Sequence, residues 1–362
     1  MPIIVSSVAN ILKFPIHFAQ LFSGAKSFEK NSLLGSEFLN RKGLHVWRVA
    51  QAQKLAAKRR KRLAYLVSAE HREAYERDGY VKVENFLDES LFAQVQNEIQ
   101  NTQFDRVDMR QGSAITRRSM IDEDDLADKP GLLAAKNDQS MVNLVRYVAS
   151  HHGQPLITLQ TVLALPAIGK KGAIDPQTQV HSDTFHPTAK AWLFLTDVGP
   201  DDGPFSYVAG SHKVTPQRYE WERDISTSLD SVENRYAKRG SLRVDTGQLS
   251  AMGYPMPSKM TVKANTLIVA DTHGFHARCA SDKSTTRIEI YSSLRRNPFV
   301  PFTGSSVGGF HVASLPVIRK RLNRTVINGL ATLRKLRIRG NPWKEIGTGS
   351  ADEWPEDFKI PE

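Results

Sequence analysis

From Leu156 onward the chain is a succession of short strand-like runs, LITLQTVLAL, AWLFLTDV, FSYVAG, MTVKANTLIVA and TRIEIYSSL. They are separated by clusters of Gly, Pro, Asp and Ser, the pattern of a mostly antiparallel sheet sandwich or barrel. Helical signals precede them. Ser68 stands as the N-cap of SAEHREAYERDGY, with acidic residues in the first turn and Gly79 as the stop. YVKVENF then alternates as a strand, and Asp88 caps a further helix through SLFAQVQNEIQ. A chain of 362 residues can bury such a core without disulfides. Its one cysteine, Cys279, cannot close an internal disulfide, so a reducing compartment, the cytoplasm, is expected. No apolar run approaches the ~20 residues that span a bilayer. Lys13 falls inside the opening apolar stretch rather than before it, which makes a poor secretory signal.

The formal net charge of +11 is unevenly spread. Nine Lys or Arg and no acid lie between Arg41 and Arg62, and eight more, again with no acid, between Arg319 and Arg339. Setting those 17 aside from the 49 basic residues leaves 32 against 38 acidic ones. The middle of the chain is therefore mildly acidic, and two appendages carry the basic character. Three parts are expected: residues 1–66 as an amphipathic and basic helical extension, 67–310 as the β domain, and 311–362 as a basic amphipathic helix with a C-terminal tail. Ile4, Val8, Ile11, Pro15, Phe18 and Phe22 recur at steps of three and four in the opening segment. Ile318, Leu322, Val326, Leu330, Leu333 and Leu336 do the same opposite Lys320, Arg324, Lys335 and Arg339. Such helices either lie on an anionic membrane surface or pack on the protein with their charges solvated, and both readings stay open. Nucleic acid is a poorer fit, because no aromatic stacking residues interleave the charges.

His181-Ser182-Asp183 is the one His-x-Asp in the chain, directly after the strand-like TQV. Residues two apart in an extended chain share a face, so an imidazole and a carboxylate can converge on one ion. Alone, such a pair is equally well a surface hydrogen bond. A second cluster, LIVADTHGFHARCASDKSTTRIEIY, runs an apolar strand into His273 and His276 and carries Arg287 on the next strand. Two imidazoles and one carboxylate on one face of a metal leave three positions open, the arrangement of non-haem Fe(II) oxygenases. Thiolate ligation is not on offer from Cys279 alone, which argues against a structural zinc site. A buried arginine on the following strand can hold a dicarboxylate by a bidentate fork that lysine cannot copy.

Over most of residues 70–300 the chain resembles the phytanoyl-CoA dioxygenase family of Fe(II)- and 2-oxoglutarate-dependent oxygenases. REAYERDGYVKVENFLDESL is similar to the family's opening helix and strand, and QVHSD to its metal strand. AWLFLTDVGPDDGPFSYVAGSH is similar to the segment that follows, and HARC with TTRIEI to its distal histidine and the arginine eleven residues on. The resemblance implies a mainly β chain with flanking helices around a double-stranded β-helix, the cupin-like jelly roll. It implies that His181, Asp183 and His276 bind Fe(II), His276 being preferred to His273 for its spacing to Arg287, and that Arg287 clamps the far carboxylate of 2-oxoglutarate. It further implies that O2 and 2-oxoglutarate are consumed while a small-molecule or lipid/acyl-containing substrate is hydroxylated, yielding succinate and CO2. Asp183 disfavours halogenation, for which related enzymes replace this carboxylate. The chain departs from the family pattern at Arg278, where many members have serine, and at Ala209, where proline is usual. The alternative is a non-catalytic binding module on the same fold, tethered to a membrane or to nucleic acid.

Four further expectations concern neighbouring residues. His212 in the GSH turn stands away from the metal, and His151 and His152, with no acid at ligand spacing, are solvent-exposed. Trp192 and Phe194 fill the core. Glu289 shares a strand face with Arg287 and either orients it or forms a plain cross-strand pair.

Overall fold

Alternation along each strand decides what its two faces meet. In Ala189–Phe194 (β5), Ala191 and Leu193 pack into one hydrophobic cluster while Trp192 and Phe194 pack into another, on the opposite face. The same division runs through Leu156–Ala164 (β4), where Ile157 and Leu159 join the first cluster. The computed structural model describes residues 13–166, 175–304 and 343–358. Around β4 and β5 the strands Tyr80–Val83 (β1), Phe104–Gln111 (β2), Ala114–Met120 (β3), Thr266–Asp271 (β8), Thr285–Leu294 (β10) and Lys344–Gly349 (β11) complete an eight-stranded sheet. Its order is β1-β8-β5-β10-β4-β3-β2-β11, antiparallel at every pairing. Phe205–Tyr207 (β6), Ser258–Met260 (β7) and His276–Arg278 (β9) form a smaller antiparallel sheet. MTVKANTLIVA thus divides into β7 and β8, with Asn265 at a φ of 65° before β8.

The second cluster, Trp192, Phe194, Phe205, Tyr207, Met260, Ile268 and Tyr291 among its members, joins the inner faces of the two sheets. The Trp192 and Phe205 ring centroids are 4.6 Å apart. The first cluster lies on the outer face of the large sheet, beneath the helices Ala69–Asp78 (α2), Glu89–Gln100 (α3) and Gln139–Val148 (α4). The result is the expected mainly β jelly roll with flanking helices. Ser68 caps α2 by accepting the His71 N–H, and Gly79 ends it in the left-handed conformation. Asp88 occupies the N-cap position of α3, but its side chain makes no capping bond.

The basic stretch forms a 20-residue helix, Leu44–Leu63 (α1), packed on the body. Arg48 donates to the carbonyls of Leu21, Ser23 and Ala25, and Arg59 to those of Ser150, Pro298 and Val300. The other side leaves Trp47, Lys54, Lys58, Lys61 and Tyr65 exposed, one stripe at helical spacing. β11 draws the outermost strand of the large sheet from beyond residue 310. The basic helix expected around 318–339 and the first twelve residues of the opening segment lie outside the described residues.

Candidate active site

His181, Asp183 and His276 come together at the edge of the small sheet. His181 is bridged to His276 on one side and to Arg243 on the other rather than lying in a continuous strand. The Asp183 N–H donates to the Thr272 carbonyl at 2.9 Å, which turns the chain so that the carboxylate faces both imidazoles. His181 Nε2 and His276 Nε2 lie 3.7 and 3.9 Å from Asp183 Oδ1. One ligand atom from each residue falls within 4.8 Å of the others, close enough to hold one metal ion.

The hydrogen bonds behind the ligands prepare them. His181 Nδ1 sits 2.7 Å from the Gln179 carbonyl and His276 Nδ1 2.9 Å from the Gly274 carbonyl. A carbonyl only accepts, so both Nδ1 atoms carry the proton and both Nε2 lone pairs face Asp183. Burial, reinforced by the neighbouring His276, pushes the His181 imidazole well below its ordinary pKa, and burial takes His276 down to about 4. Burial pushes the Asp183 carboxyl up, but Lys190 and the two imidazoles outweigh it and hold the group well below the usual carboxylate range. Both imidazoles are thus neutral and the carboxylate ionised at neutral pH, the protonation state that a two-histidine, one-carboxylate ferrous site requires.

Lys190 was not singled out in the sequence, although its place on β5 two residues before Trp192 puts it on the inner face. Its ammonium is 2.6 Å from Asp183 Oδ2, leaving Oδ1 for the imidazoles' side. Lys190, Arg118, Arg278 and Arg287 line a cavity of about 160 Å³ that also reaches His181 and His276. Arg287 donates from Nη1 to the Gly203 carbonyl at 2.9 Å, and its Nε lies 3.1 Å from Glu289 Oε2. Glu289 Oε1 accepts from Gln160. The shared-face reading of Glu289 therefore has a direct ion pair behind it. Arg278 is tied to Asp175 Oδ2 and Thr116 Oγ1, each at 3.1 Å, so a fixed guanidinium stands where the family pattern has serine. Arg118 bonds Gln160 through Nε and stacks over Tyr291.

Trp192 and Phe194 are buried core residues that also wall this cavity. His273 lies outside the ligand cluster, with Nδ1 on the Thr184 carbonyl. His212 packs against Tyr75, their ring centroids 5.1 Å apart, also outside it. The expected exposure of the adjacent histidines fails for His151, which is 7% exposed and accepts the Gly153 N–H at 2.8 Å. Gly153 and Gly304 press against its ring where any Cβ would collide, and sequence spacing does not reveal that close approach.

Residues 75–247 match the model of the phytanoyl-CoA dioxygenase family. Among solved structures, the epimerase SnoN in complex with Fe3+, alpha ketoglutarate and nogalamycin RO is similar at 18% identity over 68% of this chain and 92% of its own, with a TM-score of 0.40. HygX from Streptomyces hygroscopicus, with nickel and 2-oxoglutarate bound, is similar at 17% identity over 63% and 86%, with a TM-score of 0.39. The non-heme alpha ketoglutarate dependent carbocyclase SnoK from nogalamycin biosynthesis is similar at 18% identity over 63% and 83%, with a TM-score of 0.37. No curated protein sequence matches the chain.

Proposed function

We propose that the chain, whose residues 75–247 match the phytanoyl-CoA dioxygenase family, is an Fe(II)- and 2-oxoglutarate-dependent enzyme of the oxygenase type that hydroxylates a small-molecule or lipid/acyl-containing substrate. The observation that carries this reading is the convergence of His181 Nε2, His276 Nε2 and Asp183 Oδ1, each already in its ligating protonation state. Fe(II) held by His181, Asp183 and His276 would supply the redox chemistry that couples decarboxylation of 2-oxoglutarate, to succinate and CO2, to oxidation of the substrate by O2. The chain's own residues do the rest. Arg287, kept in orientation by Glu289 and the Gly203 carbonyl, holds the far carboxylate of 2-oxoglutarate. Trp192, Phe194 and Phe205 keep the cavity wall dry. Lys190 fixes the Asp183 rotamer by holding the oxygen that does not face the imidazoles.

The test is succinate formation. Protein reconstituted anaerobically with Fe(II) and then given 2-oxoglutarate and oxygen is expected to produce succinate, and His181→Ala to lose at least 100-fold of that rate. Equal rates in the two proteins would remove His181 from the metal.

A second element of the proposal is that the N-terminal helices dock the enzyme on an anionic membrane surface. Phe14, Phe18 and Phe22 are each about half exposed, and their rings run in contact from Phe14 through Phe22 to Trp47. Beside them the exposed stripe of α1 carries Lys54, Lys58 and Lys61 between Trp47 and Tyr65. Aromatic side chains flanking lysines suit the headgroup region of an anionic bilayer. Vesicles containing phosphatidylserine are expected to sediment the protein and vesicles of phosphatidylcholine alone to leave it in solution. Equal partition into both would sink the docking reading and leave the oxygenase reading untouched.

A further inference from the structure

The inner face of β10 carries an arginine at one end of the cavity, and a second arginine stands just past the end of the strand. Arg287 and Tyr291 line the cavity, and Arg295 directly follows the end of the strand at Leu294. From Arg287 to the strand's end at Leu294 the extended chain covers roughly 23 Å, with Arg295 one residue beyond. A five-carbon diacid anchored at Arg287 cannot reach Arg295.

Two more cations gather at that far end, around the metal-binding carboxylate. Lys26 donates from Nζ to the Asp183 carbonyl. Arg243 is the antiparallel bridge partner of His181, and bridge partners project to the same side of a sheet. Its Nη1 bonds Ser241 and its guanidinium stacks over Tyr236, while its buried Nε has no hydrogen-bond partner among the described residues. Among the described residues Lys26, Arg243 and Arg295 form no salt bridge, and the carboxylate whose field reaches all three is Asp183. That carboxylate already has Lys190 on one oxygen and the imidazoles on the other. Lys26 and Arg243 are half-buried, and cations held so without counter-charges are unfavourable unless an anion joins them.

We propose that Lys26, Arg243 and Arg295 form a subsite for a carboxylate or phosphate group of the substrate, on the side of Asp183 remote from Arg287. The proposal deepens the oxygenase reading and rests on it for the assignment of the Arg287 end to 2-oxoglutarate. In this arrangement the co-substrate's far carboxylate and the substrate's anionic group flank the metal site, and the carbon to be oxidised lies close to that anionic group.

Calorimetric titration under anaerobic conditions, with the protein loaded with Fe(II) and 2-oxoglutarate, compares octyl phosphate, octanoate and the neutral octyl glucoside. At least one of the two anions is expected to bind tenfold or more tightly than the neutral amphiphile. Arg243→Gln and Arg295→Gln are each expected to weaken that binding about tenfold, with Arg243→Lys restoring most of it. Arg295 is exposed, so its variant serves if Arg243→Gln melts early. Equal binding of all three amphiphiles, anion affinity unchanged in the doubly substituted protein, or anions that displace 2-oxoglutarate instead of binding beside it would overturn the subsite. A protein that takes up neither Fe(II) nor 2-oxoglutarate would sink the oxygenase reading instead, and the same titration on unloaded protein would still decide whether the three cations bind an anion.

Discussion

Two backbone carbonyls, those of Gln179 and Gly274, decide what the site histidines can do. By taking the Nδ1 protons they free Nε2 on each ring, so the side chains meet a metal without first changing tautomer. The residue types behind this were legible in the sequence, since His-x-Asp and a histidine eleven residues before an arginine are spacings along the chain. The tautomer locks and Lys190 were not, because each depends on which backbone or strand lies alongside. At Arg287 the orientation comes from Glu289 and the Gly203 carbonyl, while Nη2 makes no hydrogen bond among the described residues. Arg287→Lys keeps the charge and loses the fork, so the 2-oxoglutarate concentration for half-maximal succinate formation is expected to rise tenfold or more, about 1.4 kcal/mol. An unchanged value would place the co-substrate's far carboxylate elsewhere, with Arg118 and Arg278 the next guanidinia in the cavity.

At the scale of elements, α2 announced itself by its caps while two strands stayed hidden. Ser68 and Gly79 bound α2 where local chemistry put them, because caps are made within a turn of the chain. β2 and β3 gave no such signal. Their outer faces carry Asp108 and Arg117, a buried ion pair with Nε to Oδ1 at 2.9 Å, and a charged pair at buried positions erases the apolar alternation by which strands are read. Gly79 also shows a local signal with a distant reason. Its φ is 87°, and a Cβ there would collide with the His212 ring and the Tyr207 hydroxyl. Gly253 has a similar φ of 78° and open space around it. Gly79→Ala is therefore expected to cost about 1–3 kcal/mol more than Gly253→Ala in chemical denaturation, the excess being the clash. Equal costs would mean that the ring and hydroxyl move aside freely.

Across the whole molecule, the large sheet has its two edges closed by opposite parts of the chain, β1 from before the core strands and β11 from after them. The sequence showed the first and hid the second. KEIGTG holds two glycines in six residues and reads as tail, and what makes it a strand is the unpaired edge of β2, a partner more than 230 residues away. The segment after it is fastened by side chains from the sheet. Arg117 donates to the carbonyls of Ala351 and Glu353, Arg106 to that of Ser350, and Trp354 Nε1 to Thr286 Oγ1 at 2.9 Å. These bonds give the C-terminal segment a structural duty separate from the site, since none of them touches His181, Asp183 or His276. Deleting residues 343–362 strands two buried guanidinia and bares the β2 edge, so a stability loss of about 3 kcal/mol or more is expected, with concentration-dependent association in size-exclusion chromatography. Fe(II) affinity measured well below the lowered melting temperature is expected to survive the deletion. A truncated chain as stable and monomeric as the whole would show that β2 needs no cover, and the last strand would then be an ornament of the sheet rather than its seal.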